Sequence, residues 1–223
     1  MAVLTADKPA ELKTHALHLL ARDEGDAWRE VLDGDAMKDY LAKALGDTQL
    51  REGALAFIGE TRLVPLLGDV VALACDAGTS PEQRLKALGT VQRVASRAKR
   101  NDTAPFLKPI AALIESADPQ TCAAAVKAIG AFKGDDPTDV LKAALVSARA
   151  PVEVRREALH ALGASRSGAN VLVALAEKHE VPQDLLLDAT ELLNSNSNEQ
   201  IRLIAQKVLP RAAPREGTAL PPL

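Results

Sequence analysis

Three groupings of side chains in this sequence have types and spacings that chemistry could use. His15 and His18 stand three residues apart, which puts two imidazoles on one face of a helix, as metal ligands would be. Cys122 and His160 fall in successive stretches of similar sequence, so a thiolate–imidazole nucleophile pair is one reading. Lys86, Arg93, Arg97 and Arg100, with Lys99 beside them, line one side of a helical stretch and form a candidate patch for phosphate or another anion.

Each grouping has a plainer reading. Structural zinc takes about four ligands, and no cysteine or third histidine lies near the histidine pair in sequence. Cys122 and His160 differ in register by five positions, about 140° around a helix at 3.6 residues per turn, so they point in different directions. Cys75, inside VVALACDAG, reads as a small buried apolar residue. The four cations sit toward a helix C-terminus, where the helix dipole favours positive charge. No aromatic side chain interleaves them and the chain carries a net charge of −3, so nucleic acid is disfavoured as a partner. Asp23, Glu24 and Asp26 read as caps for the following helix rather than as a cation site. No phosphate-binding Gly-rich loop, dinucleotide fingerprint, HExxH, GxSxG or CxxCH occurs, so no catalytic, cofactor or metal residue is assigned.

The elements that must position these residues are set by composition and period. Five aromatics among 223 residues are few for a β-sandwich or barrel, whereas the prevalent Ala and Leu are good helix formers. The longest apolar stretch, Leu63 to Cys75, is interrupted by Asp69 and too short to span a bilayer. The opening MAVLTADKP has no basic region followed by an apolar run, so no signal peptide is expected. Two distant cysteines leave the redox compartment open.

An internal repeat decides the fold class. The strings ALHLLA (16–21), ALAFIG (54–59), RLKALG (84–89), AVKAIG (125–130), ALHALG (158–163) and ATELLN (189–194) share one pattern. Their last positions, Ala21, Gly59, Gly89, Gly130, Gly163 and Asn194, are expected to stop helices, since Gly and Asn take the left-handed conformation most readily. The preceding position is always a large aliphatic residue, as a core demands, and five before the stop stands Ala in every copy but one, where it is Arg84. Pro9, Pro81, Pro119, Pro151 and Pro182 mark helix starts, with Ser80 and Gln83 as a capping box and Asp118 as a cap. Second helices are predicted at roughly 26–45 (broken at Gly34), 62–77, 103–117, 136–148, 166–179 and 198–209. Helix pairs that cannot bury an apolar stripe alone share a core by stacking. The reading is an all-α, right-handed α-solenoid of about six antiparallel helix pairs over residues 1–209.

VEVRREALHALG (152–163) and PQTCAAAVKAIG (119–130) resemble first helices of HEAT repeats. That resemblance implies a fold rather than an activity, with second helices usually lining the face used for binding. It also admits DNA glycosylase-like and bilin lyase-like relatives built on the same scaffold. The last fourteen residues, PRAAPREGTALPPL (210–223), carry four prolines and read as an extended linker or tail. Segment 188–210 with that tail resembles the helical-repeat region of large exported planctomycete-type haem proteins. This would make the chain a piece of a longer polypeptide whose c-type cytochrome domain lies outside it. The principal functional expectation is a non-catalytic scaffold for a protein partner or for neighbouring domains. It would be exported if the haem-protein resemblance holds and cytoplasmic otherwise.

Overall fold

The computed structural model of the chain describes Leu4, residues 8–21 and residues 34–209. The acidic cluster Asp23, Glu24 and Asp26, the start of the helix predicted from residue 26, and the Pro-rich segment 210–223 all lie outside the described residues. Among the described residues there are twelve α-helices and no strand. They are α1 (Ala10–Ala21), α2 (Asp35–Gly46), α3 (Arg51–Thr61), α4 (Leu67–Cys75), α5 (Pro81–Arg97), α6 (Arg100–Ala112), α7 (Pro119–Gly130), α8 (Asp135–Val146), α9 (Val152–Gly163), α10 (Arg166–Glu177), α11 (Leu186–Asn194) and α12 (Glu199–Val208). The repeat reading thus holds at the level of helix pairs. Short 3₁₀ turns precede α4 and α11 and follow α6.

The chain divides into two compact units, Met1–Val140 and Leu141–Leu223, with the division inside α8. In the first unit α1, α3, α5 and α7 pack each on the next, and α2, α4 and α6 do the same beside them. In the second unit α9 packs on α11 and α10 on α12. Each unit is therefore two layers of helices with the apolar stripes turned inward. The repeat column before the predicted stop fills this core: Ile58, Leu88, Ile129, Leu162 and Leu193 are buried, while Leu20 in α1 is half-buried. Ala54, Ala125, Ala158 and Ala189, four residues earlier, are buried, while Ala16 in α1 is half-buried.

Arg84, the odd member of that small-residue column, has a structural task. Its Nε donates to the Ala74 carbonyl at 3.0 Å, and its terminal nitrogen donates to the carbonyls of Asp76 at 2.8 Å and Thr79 at 3.4 Å. It thereby satisfies a carbonyl left open at the end of α4 and pins the turn into α5. Arg84 stands four residues after its N-cap, Ser80, and the same offset recurs. Arg155 donates to the Ala150 carbonyl, Arg202 to the carbonyls of Asn196 and Ser197, and the Cys122 thiol to that of Ser116 at 3.1 Å. One helical turn inside each of these helices, a donor reaches back to the loop that precedes it.

Ala21, Gly130, Gly163 and Asn194 are the last residues of their helices, as expected, while the stops at Gly59 and Gly89 need correction. Helix α5 runs straight through Gly89 to Arg97. Beyond the glycine, Thr90, Val91, Val94 and Ala95 are buried. Their burial outweighs the roughly 1 kcal/mol by which glycine disfavours a helix interior. Helix α3 continues two residues past Gly59, and its left-handed closing residue is Arg62 (φ 54°), with the Leu63 N–H reaching the Ile58 carbonyl at 3.2 Å. His179 (φ 57°) plays this part after α10. Gly130 and Gly163 are the last residues of their helices, but the residues that follow, Ala131 and Ala164, stay right-handed.

The glycines at 59 and 163 serve close approach instead. A Cβ on Gly163 would stand 2.3 Å from Leu192 of α11, and one on Gly59 would stand 3.0 Å from the Arg93 Nε. Helix starts fared better. Pro81 and Pro119 open α5 and α7, with Ser80 and Asp118 as caps. The capping box is only half made, because Gln83 turns its side-chain oxygen to Arg51 of α3 at 2.6 Å. Pro9 and Pro151 sit just before their helices, and Pro182 before a 3₁₀ turn.

Candidate functional site

His15, His18, Lys86, Arg93, Arg97 and His160 stand on first helices, whereas Cys75 is on α4, Arg100 opens α6 and Cys122 is buried. His15 and His18 are both exposed and line a groove of about 960 Å³ between α1 and α3, with Thr14, Gly53, Ala56 and Glu60 among its walls. Thr14 seats against Gly53, where a Cβ would meet it at 2.8 Å. Among the described residues, no group of three or more His, Cys, Asp or Glu side chains is arranged to hold a metal ion.

Cys122 belongs to the first unit and His160 to the second. The Cys122 thiol is buried and donates to the Ser116 carbonyl. Burial, then the nearby Asp118 carboxylate, push its pKa up, away from the thiolate a nucleophile needs. Cys75 is half-buried, and desolvation raises it likewise. His160 is exposed in a smaller groove of about 400 Å³ between α9 and α11, among Arg156, Asp188, Glu191 and Ser195.

The basic residues of α5 do not share one environment. The Lys86 ammonium lies between Glu52 of α3 at 2.8 Å and Glu82 at 2.9 Å, and those hydrogen bonds, Glu52 first, raise its pKa. Arg100, the first residue of α6, pairs with Asp136 at 3.3 Å. Arg93 and Arg97 differ: both are exposed, and among the described residues neither has a carboxylate within ion-pair distance. The Arg93 guanidinium lies over Gly59, its Nε and Cζ at 3.0 and 3.3 Å from where a Cβ would stand. Of the four cations named in the sequence, two are thus neutralised locally and two are not.

Sequence reasoning passed over the ion pairs that join one first helix to the next. Arg155 makes a two-pronged bond to Asp184 at 3.0 and 2.7 Å, and Arg156 bonds Asp188 at 2.8 Å. Together with Lys86–Glu52 they cross between neighbouring helix pairs at exposed or half-exposed positions. No signal within one repeat predicts them, because their partners stand 29 to 34 residues apart.

No helix among the described residues is long and apolar enough to cross a membrane. Residues 104–194 match the family model for HEAT repeats. No curated protein matches the chain. Among solved structures, a designed armadillo repeat protein is 20% identical, covering 92% of this chain and 95% of its own, with a TM-score of 0.55. Computationally designed armadillo repeat proteins for modular peptide recognition are similar at 22% identity, 92% and 94% coverage and a TM-score of 0.53. Another designed armadillo repeat protein, solved in complex with the peptide (KR)4, gives 20% identity, the same coverages and a TM-score of 0.53. The chain thus matches the HEAT-repeat model over 104–194 and has the helical-repeat fold of the designed armadillo proteins.

Proposed function

We propose that this chain is a non-catalytic binding module, a helical-repeat scaffold that offers a protein surface to a partner or to neighbouring domains. The observation that carries the reading is the two-layer stack of helix pairs within each unit, whose apolar stripes face inward while most outward positions are polar, with Leu12, Leu19, Val146, Leu187 and Leu203 as the large apolar exceptions. Such a stack presents a broad surface on which a partner can lie. Support comes from the structural relatives, two of which are described as recognising or holding peptides. The two grooves between first helices are open, and burial pushes the Cys122 pKa up, away from the thiolate that a nucleophile needs.

The test uses the native polypeptide in extract of its source cells, crosslinked through surface lysines and analysed by mass spectrometry. Crosslinks from Lys43, Lys108, Lys127 or Lys207 to another protein or another domain are the expected result. A species of 23.5 kDa that migrates alone and yields only internal crosslinks would sink the scaffold reading. The exported haem-protein variant of this role rests on the resemblance of residues 188–210 alone. A much larger band that stains for haem on the same gel would favour it.

A further inference from the structure

We infer that Arg93 and Arg97 form a docking point for an acidic segment of a protein partner, seated on the outer face of α5 where it passes Gly59. The inference rests on the scaffold reading and names a surface and a partner class within it.

Neighbouring first helices run parallel here, as the contacts Glu52–Lys86 and Gly59–Arg93 show: both pairs are 34 residues apart and run in the same order. Several charges on the first helices find a partner on the neighbouring helix pair. Lys86 does so near the start of α5, as do Arg155 and Arg156 on α9. Toward the end of α5 the pattern breaks. Opposite Arg93 stands Gly59, which has no side chain to pair with and leaves bare backbone on which the guanidinium lies. One turn on, Arg97 is exposed.

Two acids at the start of the following helices are otherwise engaged: Asp102 accepts the Lys99 backbone N–H at 2.9 Å as a cap of α6, and Asp136 pairs with Arg100. Glu60, next to Gly59, lines the groove on the α1 side. The apolar burial that carries α5 through Gly89 is also what extends the helix far enough to display Arg93 and Arg97.

A guanidinium resting on a glycine is partly immobilised before any ligand arrives, and its N–H fork suits a carboxylate. Residues four apart on a helix stand about 6 Å from each other, close to the roughly 7 Å between alternate side chains of an extended peptide. An acidic segment laid along α5 can therefore offer one carboxylate to Arg93 and a second to Arg97. The complementary charge also speeds encounter at low salt.

The experiment is fluorescence anisotropy of the whole chain against a fluorescein-labelled octaglutamate peptide, over a range of salt. Binding should weaken as salt rises. The double substitution Arg93→Ala/Arg97→Ala should weaken it at least about tenfold, and Lys86→Ala should leave it within about twofold. Gly59→Ala, which pushes the guanidinium off its seat with both arginines retained, should weaken it by about threefold. Unchanged circular dichroism and melting would show that each variant is folded. Absence of binding, or binding indifferent to the arginine pair, overturns the proposal. So does tighter binding of a single-stranded oligothymidine through the same arginines, which would hand the surface to nucleic acid. A native protein partner that survives Arg93→Ala/Arg97→Ala would remove this docking point while leaving the scaffold reading standing.

Discussion

Leu162 and Lys127 occupy comparable first helices one repeat apart and meet opposite surroundings. Leu162 is 1% exposed in the layer between α9 and its neighbours, whereas Lys127 stands in the solvated column three residues before the end of α7. An aspartate at 162 has no cation to pair with and must either desolvate a charge or take up a proton. Leu162→Asp should therefore cost at least about 3 kcal/mol in chemical denaturation, and Lys127→Asp less than about 0.5 kcal/mol. Equal melting of the two variants would show that the repeat register is misplaced. Residues such as Arg84 and Cys122 make a subtler point. Arg84 interrupts a small-residue column, and both it and Cys122 give their donors to a loop carbonyl, so each residue type is set by a turn rather than by the core.

Helix ends show where the sequence was legible and where it was not. Existence, order and pairing of the helices follow from apolar period and capping residues, both of which are local. Termination is not local. Gly89 resembles Gly163 in its own hexapeptide, RLKALG beside ALHALG, but only in the first case does a buried run continue beyond it. A direct check follows. A Cβ on Gly89 meets nothing within 4 Å, so Gly89→Ala should stabilise the protein by about 0.5–1 kcal/mol, the helix-interior preference for alanine. A loss of stability would mean that Gly89 closes a helix after all. Gly168→Ala should be strongly destabilising, because its Cβ would stand 2.2 Å from the Leu162 carbonyl oxygen and backbone rather than a side chain must move.

The start of α7 can be tested by pH. Asp118 accepts the Thr121 hydroxyl at 2.6 Å and the backbone N–H groups of Thr121 and Gln120 at 3.0 and 3.2 Å. Those bonds, the Thr121 hydroxyl first, hold its pKa below the usual aspartate value. A depressed carboxylate pKa contributes stability that is fully present above the unfolded-state value, about 3.9, and is lost as pH falls through the lower folded-state value. Asp118→Asn should thus melt below wild type at neutral pH, and the gap should close as the solution is acidified through that range. A gap that persists unchanged to strong acid would show that the Asp118 charge does not stabilise α7. The docking arginines were visible in the sequence as a patch of four. Their division into paired and unpaired could not be, because it depends on Glu52, Gly59 and Asp136 from other repeats.

At the scale of the molecule, each helix pair within a unit touches chiefly the pair before and the pair after it. In the first unit α1 packs on α3, α3 on α5 and α5 on α7, and the second-helix layer repeats the order. Stability in such a stack is close to a sum of intrinsic terms for each repeat and interface terms between neighbours. Damage should then stay near its origin and fade with each interface. Ile129 of α7 is fully buried, so Ile129→Asp removes core contact and leaves a charge that nothing nearby neutralises. Amide hydrogen exchange read by mass spectrometry should show protection lost over α7 and α6, reduced over α5, and close to wild type over α2 and α3. If protection instead falls everywhere by the same amount, the first unit unfolds as one cooperative block. Its interfaces would then be stronger than its repeats, and a partner docked on α5 would stabilise α1 as much as α7. If protection grades away from α7, docking at Arg93 and Arg97 should raise protection in α3, α5 and α7 while leaving α1 nearly unchanged. Binding at that seam would then be felt locally, which is what a scaffold serving several partners along its length requires.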